Sequence, residues 1–137
     1  MNLTSTVFHI LQSGIETSSQ ISSLAAQNFA NAMTSPENPQ ESPYRRHMAI
    51  VHGAKLPGGW VAPHVQKVIQ DTKTPFQKMH DPYHPGADSS GFVSLPNVSS
   101  VLETTDYQEN MHNQSVMAKM RETWSRTQRM LLRLITV

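Results

Sequence analysis

The sequence predicts a mainly α fold with a small β-rich insert: long N- and C-terminal helices pairing as a coiled-coil-like, tube-forming domain. Two observations carry that reading. Both ends of the 137-residue chain are free of proline, with apolar or small residues every three to four positions. The middle is broken by prolines, glycines and short alternating runs.

The first segment, Leu3 to Ala32, carries a stripe of Val7, Leu11, Gly14, Ser18, Ile21, Ala25, Asn28 and Ala32. Phe8, Ile15, Leu24 and Phe29 widen it. Small residues on such a seam favour close approach of helices rather than a thick core, and alone in water the helix is marginal. TSPENPQESP, from Thr34 to Pro43, is a loop. His47–His52 reads as a short strand, and Pro57-Gly58-Gly59 turns the chain. Trp60–Asp71 alternates at Val61, Val65 and Ile69, with Pro63 marking an edge or break. Phe76–Met79 and Phe92–Leu95 read as two further strands, separated by the turn-rich run MHDPYHPGADSSG.

The second helix opens at Pro96–Val98 and runs to the C-terminus without proline or glycine. Its expected seam is Val98, Leu102, Thr105, Glu109, His112, Val116, Met120, Thr123, Thr127, Met130 and Leu134. At ~1.5 Å per residue it spans about 55 Å. Residues 1–32 and 97–137 thus form a helical domain and residues 33–96 an insert. The helices are expected to pair antiparallel with the insert at one end, leaving outer seams for neighbouring pairs to cover.

Formal net charge is +1, which gives no strong pull toward nucleic acid or a membrane surface. No Lys or Arg precedes Arg45, whereas Lys119, Arg121, Arg126, Arg129 and Arg133 crowd the end. The absence of cysteine excludes disulfides, thiolate zinc sites and cysteine nucleophiles. The N-terminus lacks the basic and apolar regions of a Sec signal peptide. No run approaches the ~18 apolar residues of a membrane span.

His80, Asp81, His84 and Asp88 offer imidazole and carboxylate ligands to a divalent metal. Their spacing matches no metal motif, and Asp81-Pro82 and Asp88-Ser89-Ser90-Gly91 are turn formers, so a structural turn is favoured. No metal or other cofactor is expected. His9 and His112 sit on helices without a nucleophile motif beside them. Neither a G-x-S-x-G elbow nor a phosphate-binding glycine loop occurs. Arg126, Arg129 and Arg133 share one face, with Met130, Leu131 and Leu134 elsewhere, so this stretch is amphipathic. A solvated or partner-facing surface is favoured over lipid or nucleic-acid binding. Glu103, Asp106 and Glu109 are suited to pair with such bases on a neighbouring copy.

The run DPYHPGADSSGFVSLPNV, Asp81 to Val98, resembles the hallmark of the FlgC family of flagellar rod proteins, close to D-P-x-H-P-x-A-D-x-x-G-Y-V-x-x-P-N-V. Its residues Asp81, Pro82, His84, Pro85, Asp88, Gly91, Pro96 and Asn97 match, and Phe92 replaces the usual tyrosine. QNFANAMTS (Gln27–Ser35) resembles E-N-I-A-N-A-x-T, Pro43-Tyr44-Arg45-Arg46 resembles P-Y-R-R, and Met130-Leu131-Leu132-Arg133 resembles M-L-L-K. The family's S-R-x-Y-x-A-N-like segment is not matched by YQENMHNQSVMAKMRETW, which leaves helix register near His112 open.

The resemblance implies a non-enzymatic structural subunit of the proximal flagellar rod. It implies export by the flagellar type III apparatus without signal-peptide cleavage, and assembly into the periplasm-crossing drive shaft that transmits torque to the hook. Implied partners are other copies of the chain, FlgB, FlgF and FlgG, with FliE and the MS-ring protein FliF at the base. The terminal helices would line the inner tube and the insert would lie outside. The expected assembly interface is Val7, Leu11, Ile21, Phe29, Val116, Met130 and Leu134.

Overall fold

A computed structural model describes residues 3–135. Two helices, α1 (Leu3–Asn31) and α2 (Ser100–Ile135), flank four strands. These are β1 (His47–Lys55), β2 (Val61–Gln70), β3 (Gln77–His80) and β4 (Phe92–Leu95). The outermost two residues at each end of the expected helical domain lie outside the described residues.

The helices pair antiparallel. Gln128 donates to Thr4 Oγ1 at 2.5 Å, Arg121 to Gln12, and Gln114 to Ser22 Oγ at 3.1 Å. Gly14 faces Met117, and a Cβ there would run into the Met117 sulfur. This settles the register near His112, which is exposed. The 36 residues of α2 span about 54 Å.

Glu103, Gln114, Met117, Arg121 and Gln128 of α2 meet α1, and Asp106, Asn110 and Trp124 are half-buried in step with them. That differs from the expected seam by a rotation of the helix. Leu102, Val116, Met120, Met130 and Leu134 are all exposed, and Val98 is buried ahead of the helix. The helix begins at Ser100, later than expected, with Ser99 at its N-cap. The contact strip is polar because α1 presents hydroxyls and amides to it, and these bond to amides more readily than to methyls.

The β1–β2 hairpin is antiparallel, with a register shift between Ile50 and Val51. Its tip turns through Gly58 and Gly59, whose φ angles of +85° and +81° suit residues without a Cβ. The hairpin does not sit at one end of the helix pair, as expected. It lies along the flank of α1, from His47 at Asn28 to Pro63, whose carbonyl accepts from Ser13 and, at 3.2 Å, from Thr17. The small buried residues Gly14, Thr17, Ser18, Ser22 and Ala25 allow α1 to be approached by a helix and a ribbon at once. β3 and β4 form a separate antiparallel pair. The apolar core is correspondingly thin: Leu11, Ala25, Ala32, Ala62, Val93, Leu95 and Val98. Among the described residues of α2, Glu103 alone is buried.

Candidate functional site

A buried polar node joins α1, the insert and α2. Asn28 is 1 % exposed and uses both ends of its amide. Nδ2 donates to the His47 carbonyl at 2.9 Å and to Glu103 Oε2 at 3.0 Å, while Oδ1 accepts from the His47 amide at 2.9 Å. The Tyr44 hydroxyl donates to the same Oδ1 at 2.8 Å and lies 2.6 Å from His47 Nδ1. Burial, together with the nearby Glu103 carboxylate, raises the Tyr44 pKa, which keeps this donor protonated.

Glu103, also 1 % exposed, takes the Arg46 guanidinium on Oε1, and Arg46 reaches Asp106 at 3.1 Å. Glu103 sits in the first turn of α2, where the helix dipole favours a carboxylate. The expected pairing of Glu103 and Asp106 with a neighbouring copy is therefore corrected: Arg46 of the same chain claims both. Asn97 completes the node. It accepts from the Arg46 amide at 2.8 Å and donates to the carbonyls of Asp71 at 2.9 Å and Thr74 at 3.1 Å.

The run from Asp81 to Val98 is a compact knot closing the β3–β4 pair. Asp88 Oδ1 accepts the amides of Ser90 at 2.9 Å and Phe92 at 3.0 Å. Those amides, with Lys78 at 3.8 Å, hold the Asp88 carboxyl below its ordinary pKa. Gly91 has φ +78°, and a Cβ on it would crowd the Pro82 ring and His80. His84 Nδ1 accepts the Gly86 amide at 2.9 Å, which places the ring proton on Nε2 and directs it at Ser35 Oγ, 3.0 Å away. Both His84 nitrogens are thus engaged by the turn, and no group of three potential metal ligands occurs among the described residues. Gly86 lies so close to the loop after α1 that a Cβ would run into the Pro36 carbonyl.

Three separated motifs thus meet in one place: Asn28 from QNFANAMTS, Tyr44 and Arg46 from PYRR, and Asn97 from the Asp81–Val98 run. The chain is also similar over most of its length to known proteins. A flagellar basal-body rod protein FlgC of Agrobacterium fabrum is 33 % identical over 102 residues, covering 73 % of this chain and 72 % of that one. FlgC of Escherichia coli O6:H1 is 31 % identical over 97 residues, 71 % of this chain and 72 % of its own. FlgC of Yersinia enterocolitica is 30 % identical over 112 residues, 77 % of this chain and 83 % of its own. The chain belongs to the FlgC family of flagellar basal-body rod proteins. No protein-family model matches it.

A FlgC-family chain is a structural component of the flagellar basal-body rod, assembling with other basal-body proteins, and not an enzyme. No helix among the described residues is long and apolar enough to cross a membrane. Of the seven expected interface residues of this FlgC-family chain, Leu11 is buried within the chain itself. Val7 and Ile21 are partly covered. Phe29, Val116, Met130 and Leu134 are open to solvent. Sequence reasoning missed the roles of Asn28, Arg46 and Glu103. An Asn on the apolar stripe of α1 was the available signal, because a buried amide requires partners.

Proposed function

We propose that this chain is a subunit of the proximal rod. It polymerises with other copies and with FlgB, FlgF and FlgG, above FliE and the MS-ring protein FliF, into the periplasm-crossing shaft that carries torque to the hook. The observation that carries this reading is the outward apolar stripe of α2. Leu102, Val116, Met120, Met130 and Leu134 point away from α1 along most of the helix length. Each aliphatic gains roughly 1.5–3 kcal/mol when fully covered, so such a stripe favours close packing against neighbours.

In this reading the segments 1–32 and 97–137 form the inner tube, and 33–96 lies outside. Val7, Leu11, Ile21, Phe29, Val116, Met130 and Leu134 belong to the assembled helical layer, with Leu11 acting through the intrachain pair. The Asp81–Val98 knot, with Pro82, His84, Pro85, Gly91 and Pro96, is the strap that fixes the insert to α2. Passage through the flagellar type III apparatus fits the thin core, because little packing must be undone for the chain to thread a channel.

The test is genetic replacement. A strain lacking its own FlgC receives this chain with an epitope tag inserted after Gly58, and rods are purified. Tagged chain in the rod fraction, with hooks and motility restored, supports the reading. Chain that is made yet absent from rods overturns it.

A further inference from the structure

Two histidines stand directly opposite one another on the β1–β2 hairpin, and we propose that His52 and His64 form a two-imidazole chelate for a borderline divalent cation, Zn²⁺, Cu²⁺ or Ni²⁺. This stands apart from the rod reading. The backbone fixes the geometry of the pair. Leu56 donates its amide to the Trp60 carbonyl at 2.8 Å, which makes those two residues hydrogen-bonded partners. Hydrogen-bonded and open pairs alternate along the ladder from there, and His52 with His64 falls in the same phase as Leu56 with Trp60. The Pro63 carbonyl agrees, since it points away from β1 to the hydroxyls of Ser13 and Thr17. Hydrogen-bonded partners have Cα atoms about 5.5 Å apart and side chains on one face. Zinc takes an imidazole nitrogen at about 2.0–2.1 Å, so one ion between the two rings is within reach of both.

Both rings are open to a ligand. His52 and His64 are exposed, and neither ring has a hydrogen bond, ion pair or ring contact among the described residues. The other histidines of the insert are engaged: His47 by Tyr44, His80 by the Phe92 ring, and His84 by Gly86 and Ser35. Neither strand contains Asp or Glu, so Mg²⁺ and Ca²⁺ find no carboxylate here, whereas imidazole suits zinc, copper and nickel. Lys55 falls on the opposite face, and Lys67 lies beyond the register shift, opposite Ile50. That shift on one side and the Gly58–Gly59 turn on the other hold the register, and a slip of one residue would part the rings. With two protein ligands the remaining positions go to water. The bound ion links β1 to β2 across a two-stranded ribbon, an element of marginal stability by itself.

The test uses the full chain without a tag, titrated with the metal salts alone. Calorimetry should show one site for Zn²⁺, Cu²⁺ or Ni²⁺ and none for Mg²⁺. His52→Ala or His64→Ala leaves a single imidazole and should weaken binding about a hundredfold, because the second ligand no longer acts at high local concentration. The double variant His9→Ala with His112→Ala removes exposed imidazoles from the helices and should leave the affinity unchanged. Electron paramagnetic resonance of the Cu²⁺ complex should report two imidazole nitrogens in the parent and one in each single variant. Metal should raise the melting temperature of the parent and not of the variants, since it binds the folded chain. Circular dichroism without metal checks that each variant folds. An affinity within about twofold of the parent in either folded single variant overturns the proposal. So does a single nitrogen in the parent spectrum. Binding that survives loss of both His52 and His64 but fails in His80→Ala with His84→Ala also overturns it, and assigns the metal to the turn.

Discussion

Asn28 and Glu103 meet at 3.0 Å, both almost wholly buried, and through them α1 is tied to α2. The Asn28 amide bonds at once to the insert backbone and to α2. Glu103→Ala removes the buried acceptor shared by Arg46 and the Asn28 amide, leaving Arg46 only Asp106 and the Asn28 amide only the His47 carbonyl. It is expected to lower stability by about 3 kcal/mol in urea unfolding, with Asn28→Ala losing a similar amount. Loss below about 0.5 kcal/mol for both would mean that the node does not hold the helices.

Protection against amide exchange is expected to fall along the helix pair in the free chain. Residues 22–32 and 100–108, next to the node, should exchange slowest. Residues 3–12 and 120–135 should exchange faster, because no described residue of α2 beyond Glu103 is buried and residues 3–12 of α1 bury only Thr6 and Leu11. Uniformly slow exchange through residues 3–32 would contradict this.

Gly91→Val forces a branched side chain onto φ +78° against Pro82 and His80, a cost of about 1–3 kcal/mol. Synthesis should continue while rod assembly is lost. Gly86→Ala should be at least as harmful, since its Cβ meets the Pro36 backbone rather than a side chain that can yield. Normal motility in both variants would remove the strap.

The Asp71 carboxylate accepts from Thr74 Oγ1 at 2.6 Å, and from the amides of Thr74 at 3.0 Å and Lys73 at 2.9 Å. These bonds lower its pKa from 3.8 to about 2. The folded form therefore binds the proton less readily than the unfolded form. The stabilisation is complete above the ordinary carboxylate range, fades as pH falls through it, and is gone below about 2. Asp71→Asn should flatten the pH dependence of melting between about pH 5 and pH 2 relative to the parent. An unchanged slope would show that the turn is not titrating.

Leu11 and Leu134 should part company when changed to Asp. Leu11 is 9 % exposed, so the charge is desolvated already in the free chain and the melting temperature should drop. Leu134 is 76 % exposed, so the free chain should melt normally yet fail to enter rods. Substitutions of the exposed Lys55 and Lys73 should be nearly silent in both assays. Tolerant helices with an intolerant insert would place the subunit inside out.

The sequence alone determined the helices, the four strands and the hallmark turn. Those depend on local rules: three-to-four spacing without proline, alternation, Asx turns, and a glycine where φ is positive. β1 runs three residues past the expected His52, because pairing with β2, not local pattern, decides where a strand stops. What only the tertiary structure decided is which face of α2 meets α1, and where the hairpin lies. A long helix with a polar middle offers several nearly equivalent stripes, and apolar spacing alone does not say which of them meets α1 and which faces outward. Asn28 fixes Glu103 against α1 at one end, and the contacts of Gln114 with Ser22, Met117 with Gly14, Arg121 with Gln12 and Gln128 with Thr4 carry that rotation and register along α2. That bond joins residues 75 positions apart, a separation over which no local pattern carries information.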